Sequence, residues 1–531
     1  MSQCTFDLDE RVRIVVDNRI RISLRHLPPE VVDAIKHDFT HVNPARAKLE
    51  RLGLTGGALY KEPRTIQTYE LEHAVITVPR GGMTRVRAAL EQAGLARHVV
   101  DERCEGDPRL AGKIPPHAMA TDGILYDFQR EILDQMLVVQ NGFVRAPTGS
   151  GKSAGALAFA AAVNLPTCVV VHNTGLLKQW IANASDPRQL GLSPDDIGIV
   201  GGGVFRIRPL TIAMQQSIRR EDTLKRIRTV FGAVIPDELQ TAAAATFAAT
   251  YDQFPAKYRL GMSANERRAD RKEFLIYDLF GDEPIVDVDQ DDLIERGVVH
   301  DVDVMVVLTE FVAPWYEDLK HRVREAEQTT KRTGQPMPRD LIAERIGAFD
   351  RLLNEMMVDK SRQYGIAEIV RDEVLNNGEQ VLILSHRREH CARNDADVSA
   401  AGVRCGRMVG GVEDREEFER SLRMLRDGSL SAVAGTYQAI GTGIDLPSVA
   451  VGVCTTPIAG GKDGKSFYQQ VRGRLCRRAE GKHGARIYYL LDRNVFGLEP
   501  LRNLIRWNNT VRVFDGGAWH DARVWIKELS L

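Results

Sequence analysis

The chain has 531 residues, with 71 Lys and Arg against 72 Asp and Glu and a formal net charge of −1. That length exceeds one ordinary core, so about three or four domains are expected, and a composition of 43% hydrophobic and 27% charged residues excludes a disordered or fibrous chain. Near-neutral charge excludes capture of polyanions by bulk attraction but leaves room for a local basic groove.

Residues 1–17 carry acidic groups early and no apolar stretch of signal-peptide length, and the cysteines at 4, 104, 168, 391, 405, 454 and 476 form no CxxC pair. A reducing, cytoplasmic setting without a membrane is therefore expected. Residues 1–118 read as a small α+β module. Residues 11–24 alternate polar and apolar, Pro28-Pro29 opens a helix to Phe39, residues 65–78 are strand-like, and residues 83–95 are helical again. From 119 to 290 the pattern becomes short apolar runs at 142–144, 167–171, 197–200, 210–213 and 233–236, separated by helices, which is the rhythm of a parallel α/β sheet. A second such series fills 291–498, with runs at 302–308, 381–384, 431–434, 449–455 and 485–491. A charged helical insertion at about 313–365 is broken by Gly334-Gln335-Pro336. Residues 499–531 read as a tail carrying Trp507, Trp519 and Trp525.

The sharpest chemical signal is Ala146-Pro147-Thr148-Gly149-Ser150-Gly151-Lys152-Ser153, placed directly after an apolar strand and before an Ala-rich helix. The glycines let successive backbone N–H groups turn inward as an anion nest, and the helix N-terminus adds positive potential. Lys152 would reach the β- and γ-phosphates, and Ser153 would hold Mg²⁺. ATP and Mg²⁺ are the expected cofactors. Downstream, Val234-Ile235-Pro236-Asp237-Glu238-Leu239-Gln240 sets two carboxylates at the C-terminal end of a strand, where ligands sit in open α/β sheets. Asp237 would bind Mg²⁺ through water and Glu238 would polarise the attacking water. Gln129 precedes the loop by about one helix, and its amide can both donate to and accept from adenine.

In the second series, Tyr468-Gln469-Gln470-Val471-Arg472-Gly473-Arg474-Leu475-Cys476-Arg477 sets Arg474 and Arg477 one helical turn apart, with Gln470 ahead of them. An arginine delivered across a cleft to the γ-phosphate is worth about 10³–10⁵ in rate. Before it, Thr436, Gln438 and Gly443 belong to a Gly-rich loop able to approach a phosphate backbone, with Asp445 placed between the two sites. His386, His390, Cys391 and Cys405 have a spacing that suits no common zinc site and read as a strand-to-helix junction.

The order of these motifs resembles helicase superfamily 2 over about residues 125–495, most closely its XPB-like and phage-type DNA helicases of DEAD/DEAH type. Residues 169–180, ending in Gln179-Trp180, match motif Ia of that branch; 258–268 match its motif III region, and 381–391 its motif IV. The resemblance implies two tandem RecA-like lobes with ATP in the cleft and a nucleic-acid strand across the top. It also implies nucleic-acid contacts from His172, Gln179, Gln216, Ser385 and His386, and coupling through Ser263 and Ala264. Three positions depart from the family pattern: Gln240 where a His or Asp is usual, Asn265 where a Thr or Pro is usual, and Met214 where a Thr is common. The expected activity is an ATP-dependent DNA helicase or translocase. The alternatives are an ATP-gated nucleic-acid clamp that does not separate strands, and a helicase acting on RNA. The N-terminal module is expected to grip DNA.

Overall fold

The computed structural model describes residues 11–51, 61–115, 125–147, 149–239, 250–264, 268, 270–411, 414–441, 446–458, 468–469, 471–479, 481–482 and 484–529. In the N-terminal module, alternation along the strands Val12–Val16 and Arg19–Ser23 puts Val12, Ile14, Val16, Ile20 and Ile22 on one buried face. These strands pair antiparallel, and Val75–Pro79 and the parallel strand Arg97–Asp101 flank them; Glu70–Glu72 forms one edge. The helices Pro29–Asp38 and Met83–Gln92 cover that face with Val31, Ile35, Val86 and Leu90. The expected α+β character is present.

The next sheet has eight strands in the order Val204–Arg206, Ile197–Gly201, Leu210–Met214, Thr167–Val171, Ala233–Pro236, Tyr258–Ser263, Asn141–Arg145 and Val286–Asp287. All neighbours are parallel except the antiparallel edge pair at Val204–Arg206. The strand Tyr258–Ser263 was not among the expected apolar runs because Arg259 interrupts it. That guanidinium is fully buried, donating to the carbonyls of Tyr251 (3.0 Å) and Asn18 (2.6 Å), with Asp252 at 3.8 Å.

Module and first sheet form one unit that ends at Gln290; the other unit begins at Asp291. Within the first unit the two parts are joined by buried polar contacts. Asp278, on the helix Phe274–Phe280, accepts from Thr68 Oγ1 at 2.6 Å and Arg85 Nη2 at 2.7 Å and pairs with His41 Nε2 at 2.9 Å. Arg80 is likewise buried and donates to the carbonyls of Ala256 (2.5 Å) and Lys257 (2.6 Å).

The second unit holds a sheet in the order Cys405–Met408, Ala432–Thr436, Gln380–Ser385, Val449–Cys454, Ala485–Leu491, Val302–Leu308, Val511–Asp515 and Ala518–Asp521. It is parallel except for the final hairpin. Residues 499–531, expected as a tail, differ from that reading: Val511–Asp515 pairs parallel with Val302–Leu308, and Val511 and Val513 are buried by it. Trp525 is buried with them, its indole donating to Asp515 Oδ2 at 3.0 Å. The helical insertion forms two 20-residue helices, Pro314–Thr333 and Arg339–Val358, and runs into Lys360–Leu375. Gly334, in the left-handed region at φ +72°, ends the first. Leu319, Val323, Leu341 and Ile342 pack between the pair, and Arg322–Glu344 and Arg345–Glu327 bridge its exposed side. In chain order these are a small α+β module and two parallel-sheet α/β lobes, the second carrying a helical insertion.

Candidate nucleotide site and motif loops

The strand Asn141–Arg145 delivers the Gly-rich loop to the N-terminus of the helix Lys152–Val163, which is buried on all sides over residues 155–161. Gly149 and Gly151 take φ +91° and +80°, left-handed conformations that aim neighbouring N–H groups inward and favour glycine. The Ser150 hydroxyl is buried with no partner among the described residues, as expected of a donor that faces a ligand. Gln129, expected at adenine, bonds locally to the loop here. Its Nε2 donates to the carbonyls of Ser150 and Gly151, both at 3.2 Å, and its Oε1 accepts from Tyr126 N at 3.1 Å. Both amide protons brace the loop, which gives this buried side chain a local structural task. Pro147 lies in the loop's opening turn, and Thr148 is outside the described residues.

Asp237 and Glu238 follow the strand Ala233–Pro236, beside the loop. Glu238 takes φ +57°, a left-handed conformation that costs a non-glycine residue about 1–2 kcal/mol. Its Oε1 lies 3.4 Å from Lys152 Nζ. Asp237 accepts from its neighbour's N–H through Oδ1 (3.0 Å) and from the Trp180 indole through Oδ2 (2.9 Å). Burial, and then the Glu238 charge, push the Asp237 carboxyl up to about 6, against the pull of Lys152. A cation beside Asp237 would relieve both effects. Among the described residues no group of three or more His, Cys, Asp or Glu gathers in a metal-binding cluster. Any divalent ion would be shared between Ser153, Asp237 and phosphate oxygens, the sparse protein ligation that Mg²⁺ accepts. Ser153 Oγ accepts from Asn183 Nδ2 at 3.2 Å.

Within motif Ia, His172 accepts at Nε2 from Asn173 Nδ2 at 3.0 Å. Burial holds the His172 imidazolium below its ordinary value, with the Glu238 carboxylate opposing. Gln179 is half-buried on the following helix and Gln216 is exposed. Met214 is buried at the end of its strand, so the departure at that position is a packing residue. Ser263 closes the strand beside the loop, its carbonyl accepting from Ala146 N at 3.0 Å, and Ala264 follows half-buried. Asn265 and Gln240 lie outside the described residues.

In the second unit, Ser385 is fully buried, with its Oγ 2.9 Å from His390 Nδ1 and accepting from Arg387 N at 3.2 Å. The hydroxyl, expected at nucleic acid, is held here within the fold at the strand end. His390 and Cys391 are buried at this strand-to-helix junction. His386 leans on the Tyr437 ring at 4.6 Å and meets Thr456 Oγ1 at 2.8 Å, with one edge exposed. Thr436 Oγ1 accepts from Ala439 N at 3.3 Å, and Gln438 is exposed. Gly443, Asp445 and Gln470 lie outside the described residues. Arg474 is buried in a short helix that ends at Leu475, whereas Arg477, expected one helical turn on, is half-buried beyond that helix in an isolated antiparallel bridge to Val299. The arginine before them, Arg472, donates to Asp301 at 3.1 Å.

Three contributors escaped the sequence reading. Trp180 and Asn183 grip Asp237 and Ser153; Lys482, buried, donates to the carbonyls of Pro447, Val449 and Leu475. The Gln-Trp ending of motif Ia contained the first signal, but an aromatic at helical spacing is ordinarily core.

The family model for the type III restriction enzyme res subunit matches residues 123–268, and the helicase conserved C-terminal domain matches 365–479. Putative DNA 3′-5′ helicase Rad25 of Halobacterium salinarum is 32% identical over 36% of this chain and 31% of its own length. DNA 3′-5′ helicase XPB of Kineococcus radiotolerans is 24% identical over 72% of this chain and 64% of its own. DNA 3′-5′ translocase XPB2 of Sulfurisphaera tokodaii is 21% identical over 74% and 87%. The chain thus spans less than two-thirds of the first two relatives. Both halves of the core are matched in order, and XPB-type relatives align across most of the chain; these matches support a superfamily 2 helicase of the XPB-like or phage-type branch.

Proposed function

We propose that the chain is a nucleic-acid-dependent ATPase that translocates on or unwinds DNA. The observation that carries this reading is the meeting of Lys152 with Glu238 at 3.4 Å beside a loop held open by Gly149 and Gly151. Inward N–H groups and the Lys152 ammonium bind the β- and γ-phosphates, and the helix N-terminus adds its partial charge. Glu238 sits where a carboxylate can orient a water and take its proton. Mg²⁺ would be held by Ser153 and Asp237 and, when bound, would neutralise charge on the phosphate oxygens. The roles of Arg474 and Arg477 rest on the family assignment.

DNA is favoured because these relatives are DNA helicases or translocases by name, and one of them, a translocase, supports a second reading: movement along duplex without strand separation. ATPase stimulation by single-stranded DNA, duplex DNA and RNA, run beside strand displacement, separates the readings. Lys152→Ala should abolish the stimulated ATPase. Full activity in that variant overturns the assignment.

A further inference from the structure

One helix touches both groups assigned above to the metal. The helix Thr174–Ser185 is capped by Asn173, whose Oδ1 accepts from Leu176 N at 2.8 Å. Three residues apart on one face, Trp180 Nε1 donates to Asp237 Oδ2 at 2.9 Å and Asn183 Nδ2 donates to Ser153 Oγ at 3.2 Å. Trp180 is only 2% exposed, and a buried indole N–H needs an acceptor; here the acceptor is the carboxylate of the site. Asn183 is half-buried, so packing alone does not require an amide there. The cap extends the connection. With Oδ1 taking an N–H, Asn173 must present Nδ2 to His172, which fixes the imidazole proton on Nδ1, a buried position with no partner among the described residues.

We infer that this helix is a bracket that sets Ser153 and Asp237 for their cation, with Trp180 and Asn183 as positioning residues, and that it ties them to the His172–Asn173 loop. The inference rests on the nucleotide-and-cation reading of the site. The physical case is that of outer partners to metal ligands: each hydrogen bond fixes the direction of a lone pair before the ion arrives. Both ligands receive such a bond from one rigid element, so a displacement of that element moves both together.

The test is equilibrium binding, without turnover, on the full chain. A fluorescent N-methylanthraniloyl-ADP is titrated with Mg²⁺ and, separately, in EDTA, for the native protein, Trp180→Phe and Asn183→Ala. The half-saturating Mg²⁺ concentration should rise about tenfold or more in each variant, the range seen for lost outer partners, while nucleotide affinity in EDTA is unchanged. ATPase of both variants should recover at high Mg²⁺. Trp180→Phe can lose stability through its buried ring, so Asn183→Ala, at a half-exposed position, decides the matter if the first variant unfolds. An unchanged Mg²⁺ requirement in Asn183→Ala, or equal losses with and without Mg²⁺, overturns the bracket alone. Native protein lacking Mg²⁺-dependent nucleotide binding overturns the reading of the site, and the bracket with it.

Discussion

Replacing Asp278 with Ala should loosen the N-terminal module from the first lobe. The carboxylate is 1% exposed and holds three partners from the module: His41, Thr68 and Arg85. Removing one member of a buried ion pair costs about 3–5 kcal/mol, because the other is left uncompensated. Arg85 keeps some support from Asp282 at 3.3 Å, from the Asp38 carbonyl at 2.8 Å and from the Phe39 ring at 4.3 Å, so the lower end applies to it. The Thr68 hydroxyl loses a short bond at the joint, and the net loss is about 3 kcal/mol. Hydrogen exchange is the suitable assay, since a chain of two units gives no single unfolding transition. Amides of Val12–Val16, Arg19–Ser23 and Phe274–Phe280 should lose protection by a common factor of about 10². Protection in the second unit should not change. Loss confined to Phe274–Phe280, or a change under about 0.5 kcal/mol, would refute the joint.

Gly151→Ala places a Cβ 2.5 Å from Gln129 Nε2 at φ +80°, which predicts a cost of about 1–2 kcal/mol from the backbone alone. The double variant with Gln129→Ala should recover part of the loss, read as hydrogen-exchange protection of the helix Lys152–Val163; strict additivity would show that the two do not touch. Lys482→Met strands three carbonyls and should destabilise the second unit by at least about 1–3 kcal/mol, with Lys482→Arg retaining part of that. Burial lowers the Lys482 ammonium from 10.5 to about 8, so above that pH the unfolded chain binds the extra proton. Native stability relative to Lys482→Met should therefore rise between about pH 8 and 10.5, and a flat difference refutes the assignment.

The two sheets were legible because parallel strands buried on both faces read as unbroken apolar runs, as at Thr167–Val171 and Val302–Leu308. The strand Tyr258–Ser263 hid behind Arg259, whose charge is satisfied by carbonyls that only the fold brings near. The strand Val511–Asp515 was missed for another reason. It lies near the edge of its sheet, buries alternate residues, and is five residues long, too short for its period to stand out. At the site, the loop and carboxylates were legible because their spacing carries the chemistry. The tasks of Gln129 and Ser385 were not, because an amide or hydroxyl in a motif can face a ligand or brace the backbone, and sequence does not separate the two. Asp278 did leave a trace: a lone carboxylate in Phe274-Leu275-Ile276-Tyr277-Asp278-Leu279-Phe280 must find partners when that helix is buried.

The joint around Asp278 also decides how the N-terminal module can act. An interface held by apolar area alone tolerates sliding, since dispersion contacts have no preferred direction. Here the holding groups are directional. Arg80 is fixed by carbonyls from two segments of the lobe, Asn18 donates to the Asp252 carbonyl at 2.7 Å, and Cys104 bridges in register to Ala256. A shift of one ångström would break several of these bonds at once and leave buried charges unpaired. Module and lobe therefore have one low-energy arrangement and move as one body. Whatever the module binds is carried rigidly with the nucleotide loop, so changes on ATP binding must appear elsewhere in the chain. A disulfide engineered across the joint should accordingly leave ATPase and translocation rates unchanged, and slowing of either would show that the joint opens during the cycle.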